Sequence, residues 1–315
     1  MPETTSYCIG IDVGVTNIKC ACVTPEGEVL AREATGTNAD HADWPSGVRG
    51  VLERIESERG RACAVGLAAP GVAAPDGSCI TWMQGRFEAV QGLNWTEFLG
   101  RESKVAVLND AQAALLGEVW IGAAKGCRNA MLLTLGTGVG GALMVDGRLL
   151  RGHLGRAGHL GHVCLDLEGP RDITNTPGSL EDAIGNCTVA ARSAGRFAST
   201  HDLIAAHEAG DTRATQLWLD SVQKLAAGIA SLINVADPEM VIIGGGIARA
   251  GRSLFQPLDR WLEDYEWRPH GQRARIVPAE LGEFAGAIGA AWNAMSSNSG
   301  QENAILPQMK TDGHR

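Results

Sequence analysis

Two short segments rich in glycine and threonine have the residue types that bind phosphate groups. Residues 12–19 read Asp-Val-Gly-Val-Thr-Asn-Ile-Lys, and residues 135–141 read Leu-Gly-Thr-Gly-Val-Gly-Gly. Such loops present backbone N–H groups and hydroxyls without Cβ crowding, which suits polyphosphate oxygens. The residues predicted to contact a nucleotide are Gly14, Thr16, Asn17 and Lys19 in the first loop and Gly136, Thr137, Gly138 and Gly140 in the second. The repeated pattern predicts a nucleotide-dependent phosphotransferase, and neither segment is a P-loop.

Two aspartates follow apolar runs and could carry the chemistry. Asp12 ends the first run, where a carboxylate can hold Mg²⁺ through its water shell or through a bound phosphate. Asp110 follows the strand-like residues 105–108 and Asn109 and precedes a helical pattern. As a general base, Asp110 would accept the proton of a substrate hydroxyl while that oxygen attacks a γ-phosphate. The alternatives are a turn cap for Asp12 and a helix N-cap for Asp110, which is compatible with the catalytic role.

A third glycine cluster indicates nucleotide contact at another place. Gly244, Gly245 and Gly246 follow the apolar residues 241–243, so a strand meets a loop without side chains. A flat adenine or a ribose can lie against such a backbone. The alternative is a turn that only serves packing.

The hydrophobic pattern predicts an α/β protein with two domains. Helices are expected at residues 45–60, 111–120, 180–197, 201–208, 211–236 and 284–295, and strands at 62–69, 105–108, 238–246 and 275–278. Residues 76–92 and 155–178 read as loops. The expected domains are residues 1–110, completed by a C-terminal helix at 284–296, and residues 111–283. Residues 297–315 are polar and aperiodic, which is typical of a disordered tail.

Composition excludes several classes of partner. The net charge of −9 over 315 residues opposes nucleic-acid binding, which needs a basic face. The eight cysteines contain no Cys-x-x-Cys pair and favour a reducing cytoplasm. The first residues lack the basic start of a signal peptide. The uncharged run at 130–145 is too short and too rich in glycine to span a membrane.

Taken in order, these motifs resemble the ROK family of sugar kinases. The resemblance covers roughly residues 7–295 and includes the segments at 12–19, 69–71, 109–110, 135–141, 241–246 and 286–291. It implies two ribonuclease-H-like domains of the actin-like ATPase type with a cleft between them, ATP with Mg²⁺, and Asp110 as the base. It also implies sugar contacts from Gly71, Asn109, His162 and Glu181. Relatives are commonly dimers, so a homodimer is expected.

The chain departs from the family pattern around the expected sugar site. The family stretch Gly-Glu-x-Gly-His reads Gly-His-Leu-Gly-His at residues 158–162, so His159 replaces the glutamate and should change the preferred hydroxyl arrangement. Gln84 is expected to take the place of an asparagine that relatives offer to the sugar. His153, His159 and His162 could form a metal cluster, although a polar substrate wall is the simpler interpretation.

The cysteines of the family's zinc motif are missing. The motif falls on residues 172–181, which read Asp-Ile-Thr-Asn-Thr-Pro-Gly-Ser-Leu-Glu. Because structural zinc prefers thiolate and imidazole ligands, no zinc is expected. Pro177 and hydrogen bonds from Thr174, Asn175 and Thr176 are expected to hold the loop instead.

The sequence therefore predicts ATP-dependent phosphorylation of a sugar hydroxyl, as in a glucokinase-like hexose kinase acting on a primary hydroxyl. An amino sugar derivative, a ketose or a cyclitol is an alternative acceptor. A degenerate sugar-binding protein without catalysis is a further alternative. A sugar-responsive repressor is disfavoured by the charge and by the absence of a helix-turn-helix before the first strand, and an actin-like filament former by the sugar-site loop.

Overall fold

The computed structural model describes residues 6–85 and 87–298, without the side chain of Asn298. The strands are β1 (Cys8–Val13), β2 (Asn17–Val23), β3 (Val29–Gly36), β4 (Ala64–Ala69), β5 (Val72–Ala73), β6 (Ile80–Trp82), β7 (Ala106–Asn109), β8 (Ala130–Leu135), β9 (Val139–Val145), β10 (Arg148–Leu149), β11 (Met240–Gly244) and β12 (Arg275–Pro278). The helices are α1 (Trp44–Arg59), α2 (Trp95–Phe98), α3 (Asp110–Ile121), α4 (Leu180–Ile184), α5 (Val189–Arg192), α6 (Thr200–Glu208), α7 (Thr212–Ala236), α8 (Arg252–Tyr265) and α9 (Ala285–Asn298).

The first sheet has the strand order β3-β2-β1-β4-β7. Strand β2 pairs antiparallel with β1 on one side and with β3 on the other, whereas β4 lies parallel to both β1 and β7. Ile9 and Ile11 of β1 are wholly buried and belong to one core with Val48 and Ile55 of α1. Because the parallel strands β1 and β7 end at the same edge, Asp12 and Asn109 lie at that edge of the sheet.

Helix α9 packs closely against this sheet and against α3 because three contact positions are glycine. A Cβ atom at Gly10 would lie 1.8 Å from the carbonyl oxygen of Ala287, and one at Gly66 would lie 2.0 Å from that of Ala290. A Cβ at Gly289 of α9 would lie 1.7 Å from the carbonyl oxygen of Ala113 in α3. Any larger residue at these positions would force the backbones apart, so the glycines set the spacing of α9, α3 and the sheet.

The second sheet has the order β10-β9-β8-β11-β12, the same order by chain position as the first. Strand β11 lies parallel to β8 and to β12. Leu133, Val241 and Ile243 are buried on this sheet and share a core with Leu225 and Ile229 of α7. The prediction of two ribonuclease-H-like α/β domains is confirmed by this duplicated strand order.

Contacts divide the described residues into two compact units. The first contains the residues up to Arg128, Met144–Arg156 and the residues from Glu283, and the second contains Asn129–Leu143 and Ala157–Gly282. Residues 111–128 group with the first unit because α3 packs against α9. The division predicted at residue 110 stays a prediction.

Several of the elements predicted from the sequence differ from the structure. The single helix predicted at 180–197 is wrong, because α4 ends at Ile184 and is followed by Gly185, a 3₁₀ turn (Asn186–Thr188) and the short α5. The predicted loop at 76–92 contains β6 and a 3₁₀ turn (Glu88–Val90). The predicted tail begins two residues too early, since α9 continues to Asn298; residues 299–315 lie outside the described residues. Among the helices that the structure describes, none is long and apolar enough to cross a bilayer.

Candidate nucleotide and sugar site

The first glycine loop is a tight connection between β1 and β2 that a distant threonine holds in place. The backbone N–H of Gly14 donates to the carbonyl oxygen of Asn17 at 2.9 Å. The hydroxyl of Thr37 donates to the carbonyl oxygen of Gly14 at 2.7 Å, and the Thr37 N–H donates to that of Thr16 at 2.9 Å. Thr37 is buried, whereas Thr16 and Asn17 are exposed. Thr37 thus fixes the loop from its buried side, while Thr16 and Asn17, two of the predicted phosphate contacts, face solvent.

Asp12 lies beside this loop in a setting that disfavours its charge. Burial, and then the nearby Asp110 carboxylate, raise the pKa of Asp12 to about 7, and Lys19 opposes this shift. Lys19 faces Asp12 in the strand register and also forms an ion pair with Glu283 at 3.5 Å. A Cβ at Gly286 would lie 2.6 Å from Oδ2 of Asp12, so the carboxylate packs directly on the first turn of α9.

Asn109 forms the N-cap of α3 and leaves Asp110 as the first helical residue. The Asn109 side-chain oxygen accepts from the N–H groups of Ala111 and Gln112 at 3.0 and 3.2 Å. Its side-chain nitrogen donates to the carbonyl oxygen of Gly71 at 3.0 Å. Asn109 is therefore the N-cap, and Oδ1 of Asp110 also accepts from the N–H of Ala111, at 2.8 Å, while Asp110 keeps partial exposure. The structure brings Gly71, Asn109 and Asp110 together, while Gln84 lies on an exposed loop of the same unit.

The second glycine loop is anchored from the segment that follows α4. The carbonyl oxygens of Gly136 and Thr137 accept from the N–H groups of Asn186 and Cys187 at 3.0 and 2.8 Å. Oε2 of Glu181 accepts from the N–H of Val139 at 2.9 Å. These bonds explain why the predicted long helix is interrupted at Gly185: the N–H groups beyond it are used to hold the loop.

A pocket of about 760 Å³ opens beside this loop within the second unit. It collects three of the predicted nucleotide contacts, which are Gly136, Thr137 and Gly246, whereas Gly138, Gly140, Gly244 and Gly245 do not line it. Residues that the sequence pattern did not indicate supply much of the remaining wall: Asn186, Thr200, His201, Ile204, Glu208 and Arg249.

Thr200 gives this pocket a buried polar group. The Thr200 N–H donates to the side-chain oxygen of Asn186 at 2.7 Å, which connects α6 to the 3₁₀ turn that holds the second glycine loop. Its hydroxyl oxygen is buried and has no hydrogen-bond partner among the described residues. Since buried polar groups are normally hydrogen-bonded, this hydroxyl fits a ligand with polar groups, such as a nucleoside.

The remaining predicted sugar contacts lie elsewhere in the second unit. His159 precedes a 3₁₀ turn (Leu160–His162) and is partly buried. Nδ1 of His162 lies 2.7 Å from Oδ2 of Asp172. Asp172 in turn accepts the hydrogen bonds expected from Thr174 and Thr176, and the Asn175 N–H donates to its carbonyl oxygen. The predicted hydrogen bonding of this loop is therefore confirmed. His153 is exposed and belongs to the first unit.

Two observations concern the side chains that could bind a metal ion. Within residues 6–85 and 87–298, no group of three or more His, Cys, Asp or Glu residues is arranged to hold a metal ion. The expected absence of zinc stays a prediction. Asp12 fits Mg²⁺ in another way, because a cation bridged by a phosphate or by water would offset the negative charge that it shares with Asp110.

A repeated five-stranded sheet with a glycine loop after its first strand defines a nucleotide-binding protein of the actin-like ATPase class. Within this class, the family model described as the ROK family matches residues 8–296, and the chain belongs to that family.

Several relatives match along nearly the whole chain. Glucokinase from Halalkalibacterium halodurans is 31% identical, over 90% of this chain and 93% of the relative. The crystal structure of a ROK hexokinase from Thermus thermophilus is 30% identical, covers 93% of this chain and 99% of its own, and has a TM-score of 0.80. A ROK family glucokinase from Streptomyces griseus, solved in complex with glucose and AMPPNP, is 27% identical with a TM-score of 0.72 over 92% of this chain and 100% of its own.

Proposed function

We propose that this chain, which is an ATP-dependent sugar kinase of the ROK family, transfers the γ-phosphoryl group to a primary hydroxyl of a hexose. The observation that carries the proposal is the position of Asp110 at the sheet edge that also holds Asp12, with the capping role taken by Asn109. Oδ1 of Asp110 accepts from the N–H of Ala111 at 2.8 Å, and a carboxylate held in this way at the ends of parallel strands has the location of a general base.

Asp110 acts on the acceptor in this proposal. Its carboxylate accepts the proton of the sugar hydroxyl as the oxygen attacks the γ-phosphorus in line, and ADP leaves from the opposite side. Asp12 is close enough for the charge of Asp110 to affect its pKa. Mg²⁺ held by Asp12 through water or phosphate would supply positive charge for the transferred group.

The nucleotide is assigned to the two glycine loops and the pocket of the second unit. A volume of about 760 Å³ is within the range of small-molecule sites and accommodates a nucleoside. The buried Thr200 hydroxyl offers a polar contact there. The phosphates of ATP are proposed to contact Gly14, Thr16 and Asn17 of the first loop. Lys19 is proposed to contact them as well, in addition to its ion pair with Glu283.

Glucose is the first acceptor to test, because the Streptomyces griseus relative was solved with glucose. The sugar contacts proposed are Gly71, Gln84 and Asn109 in the first unit and His159, His162 and Glu181 in the second. His159 donates as well as accepts, so an amino sugar derivative, a ketose or a cyclitol is the second candidate. A cytoplasmic location and a homodimer belong to the same proposal.

The test is ADP release from Mg²⁺-ATP over a panel of hexoses, amino sugars, ketoses and cyclitols, with Asp110→Asn as the control. Turnover that occurs in the wild type and is lost in the variant supports both the kinase activity and the role of Asp110 as the general base. If no acceptor supports turnover while sugars still bind in calorimetry, the alternative of a non-catalytic sugar-binding protein is favoured. Position-specific analysis of the phosphorylated product tests the primary hydroxyl.

A further inference from the structure

The side chain of Asp172 is the centre of a hydrogen-bond network in the loop before α4. It is only 1% exposed. Oδ1 accepts from the N–H and the hydroxyl of Thr174, both at 2.8 Å, and from the N–H of Thr176 at 2.9 Å. Oδ2 faces Nδ1 of His162 at 2.7 Å. The two oxygens therefore have distinct roles, since Oδ1 holds the loop and Oδ2 holds the imidazole.

This network keeps Asp172 ionised. Burial alone would raise the pKa of the carboxyl, but hydrogen bonds from His162, Thr176 and Thr174 outweigh it and lower the pKa to about 2. An ionised carboxylate only accepts hydrogen bonds, so Nδ1 of His162 must carry a proton. In the neutral ring, Nε2 is then the acceptor.

The packing of the backbone turn that ends at His162 also restricts the position of this residue. It ends the 3₁₀ turn that contains Gly161, where a Cβ would lie 2.0 Å from the carbonyl oxygen of Val139. The turn thus packs against the beginning of β9. The imidazole retains 23% side-chain exposure, so a ligand can reach it.

We propose that Asp172 is a positioning residue that fixes the tautomer and the orientation of His162, so that Nε2 accepts a hydrogen bond from a sugar hydroxyl. This rests on the proposed function, in which His162 contacts the sugar. A fixed acceptor favours a hydroxyl that can donate from one direction, and Asp172 would therefore contribute to substrate choice without touching substrate.

Asp172→Asn separates the two roles of the carboxylate. Its remaining oxygen can still accept from Thr174 and Thr176 and preserve the loop, which leaves the amide NH₂ facing His162. Because NH₂ only donates, Nδ1 must become the acceptor and the proton must move to Nε2. The substitution inverts the tautomer with little change in shape. Thr174→Val is the matched control, since it removes one donor to Oδ1 and leaves the contact with His162 intact.

The experiment combines kinetics with imidazole NMR. In Asp172→Asn we expect the sugar KM to rise roughly tenfold, with the ATP KM and the melting temperature close to wild type. Thr174→Val should stay within about twofold for the sugar KM. Two-bond ¹⁵N–¹H spectra at alkaline pH, with the His162 signals assigned from His162→Gln, should show Nδ1–H in the wild type and Nε2–H in Asp172→Asn.

Two results would overturn this assignment. One is a neutral wild-type His162 that carries its proton on Nε2, which needs no variant to detect. The other is a folded Asp172→Asn with the inverted tautomer and an unchanged sugar KM. If the wild type phosphorylates no sugar, the proposed function fails, while the spectra and the shift of the His162 signals on sugar titration still decide the role of Asp172.

A separate observation, two cysteines in contact, carries a second inference. Sγ of Cys8 in β1 lies 3.0 Å from Sγ of Cys63, just before the parallel strand β4. Cys8 is 1% exposed, whereas Cys63 is exposed. Since a disulfide bond measures about 2.05 Å, the sulfurs need to approach by only about 1 Å.

We infer that Cys8 and Cys63 form a reversible redox pair that low-molecular-weight disulfides oxidise. The thiolate of Cys63 attacks the external disulfide, gives a mixed disulfide and releases one thiol. Cys8 then loses its proton and attacks the Cys63 sulfur, which forms the protein disulfide and releases the second thiol. The protein thus loses two electrons and two protons, and the external disulfide gains them. Burial raises the pKa of the Cys8 thiol, which makes the second step the slower one.

Glutathione disulfide is the probe for this pair. After incubation and alkylation of the unfolded protein, peptide mapping should find Cys8 linked to Cys63, with reversal by dithiothreitol. Cys8→Ser should instead accumulate a glutathione adduct on Cys63, and a Cys20→Ser, Cys22→Ser double variant should behave as the wild type. A wild type that carries only the Cys63 adduct, or no modification at either residue, would overturn the inference.

Discussion

Oε2 of Glu181 accepts a hydrogen bond from the backbone N–H of Val139 at 2.9 Å, which joins α4 to the second glycine loop. A Cβ atom at Gly138 would lie 2.1 Å from the same oxygen. Only glycine at this position therefore leaves room for the carboxylate against the loop. The sequence pattern indicates Glu181 as a sugar contact only. Its place in the structure gives it a second role, because it fixes the loop proposed to bind ATP phosphates.

Replacing Glu181 should separate its hydrogen bond from its charge. In Glu181→Ala the buried N–H of Val139 loses its acceptor, and we expect the free energy of unfolding to fall by about 1–3 kcal/mol and the ATP KM to rise. Glu181→Gln retains an oxygen acceptor and should lose less than about 1 kcal/mol. Urea denaturation and steady-state kinetics of the two variants provide the measurement. Equal losses in both would show that the bond to Val139 is not what stabilises the loop.

Asp110→Asn should remove the proposed base and leave the fold intact. Asn109 carries the N-cap bonds of α3, and the amide oxygen of the variant can still accept from the Ala111 N–H, so the melting temperature should change little. We expect kcat to fall by about 10²–10⁴-fold with little change in the sugar dissociation constant, because general-base catalysis contributes by this order. Calorimetry for sugar binding and coupled-enzyme kinetics for ADP release test this. A variant with more than a tenth of wild-type kcat would remove Asp110 from the mechanism.

The residues predicted best from the sequence are those whose chemistry is local. Asp12 is the last but one residue of β1 and Asn109 ends β7, and both positions follow from apolar runs. Thr37 and Thr200 could not be found in this way. Thr37 bonds to a residue 23 positions earlier, and Thr200 meets the pocket only through tertiary packing, so neither leaves a local pattern.

The helix predicted at 180–197 is another case in which a local sequence pattern is not sufficient to predict the structure. Apolar spacing favours one helix there, and Gly185 is a tolerable interior residue by propensity. The structure instead uses the N–H groups of Asn186 and Cys187 to hold Gly136 and Thr137, a demand set by a segment about 50 residues away. Tertiary hydrogen bonding therefore overrides local propensity at the point where α4 serves the site.

Thr37→Val should loosen the first glycine loop with little change in volume. Valine keeps the shape but cannot donate to the carbonyl oxygen of Gly14, which would lose this bond in a partly buried setting. We expect a loss of about 0.5–1.5 kcal/mol in the free energy of unfolding and a rise of several-fold in the ATP KM. Thr35→Val, on the exposed end of β3, is the matched control and should do neither. A wild-type ATP KM in Thr37→Ser would show that the effect comes from the hydroxyl. A raised ATP KM in Thr37→Ser would show that it comes from packing.

Asp12 should make the stability of the protein depend on pH. Burial and the charge of Asp110 raise the pKa of Asp12 to about 7 against the opposing effect of Lys19, while an unfolded aspartate titrates near about 4. The contribution from protonated Asp12 is therefore fully present below about pH 4 and is lost as the pH rises through 7.

The comparison with Asp12→Asn isolates this contribution. One pKa unit corresponds to about 1.4 kcal/mol, so the free energy of unfolding of the wild type should fall relative to Asp12→Asn by at most about 4 kcal/mol between about pH 4 and pH 8. Urea denaturation of both proteins in the absence of nucleotide, at several pH values, measures the difference. Mg²⁺-ATP should reduce this loss at neutral pH in the wild type alone, because a cation favours the ionised carboxylate. A difference that stays constant with pH would mean that Asp12 is already ionised in the folded protein below neutral pH.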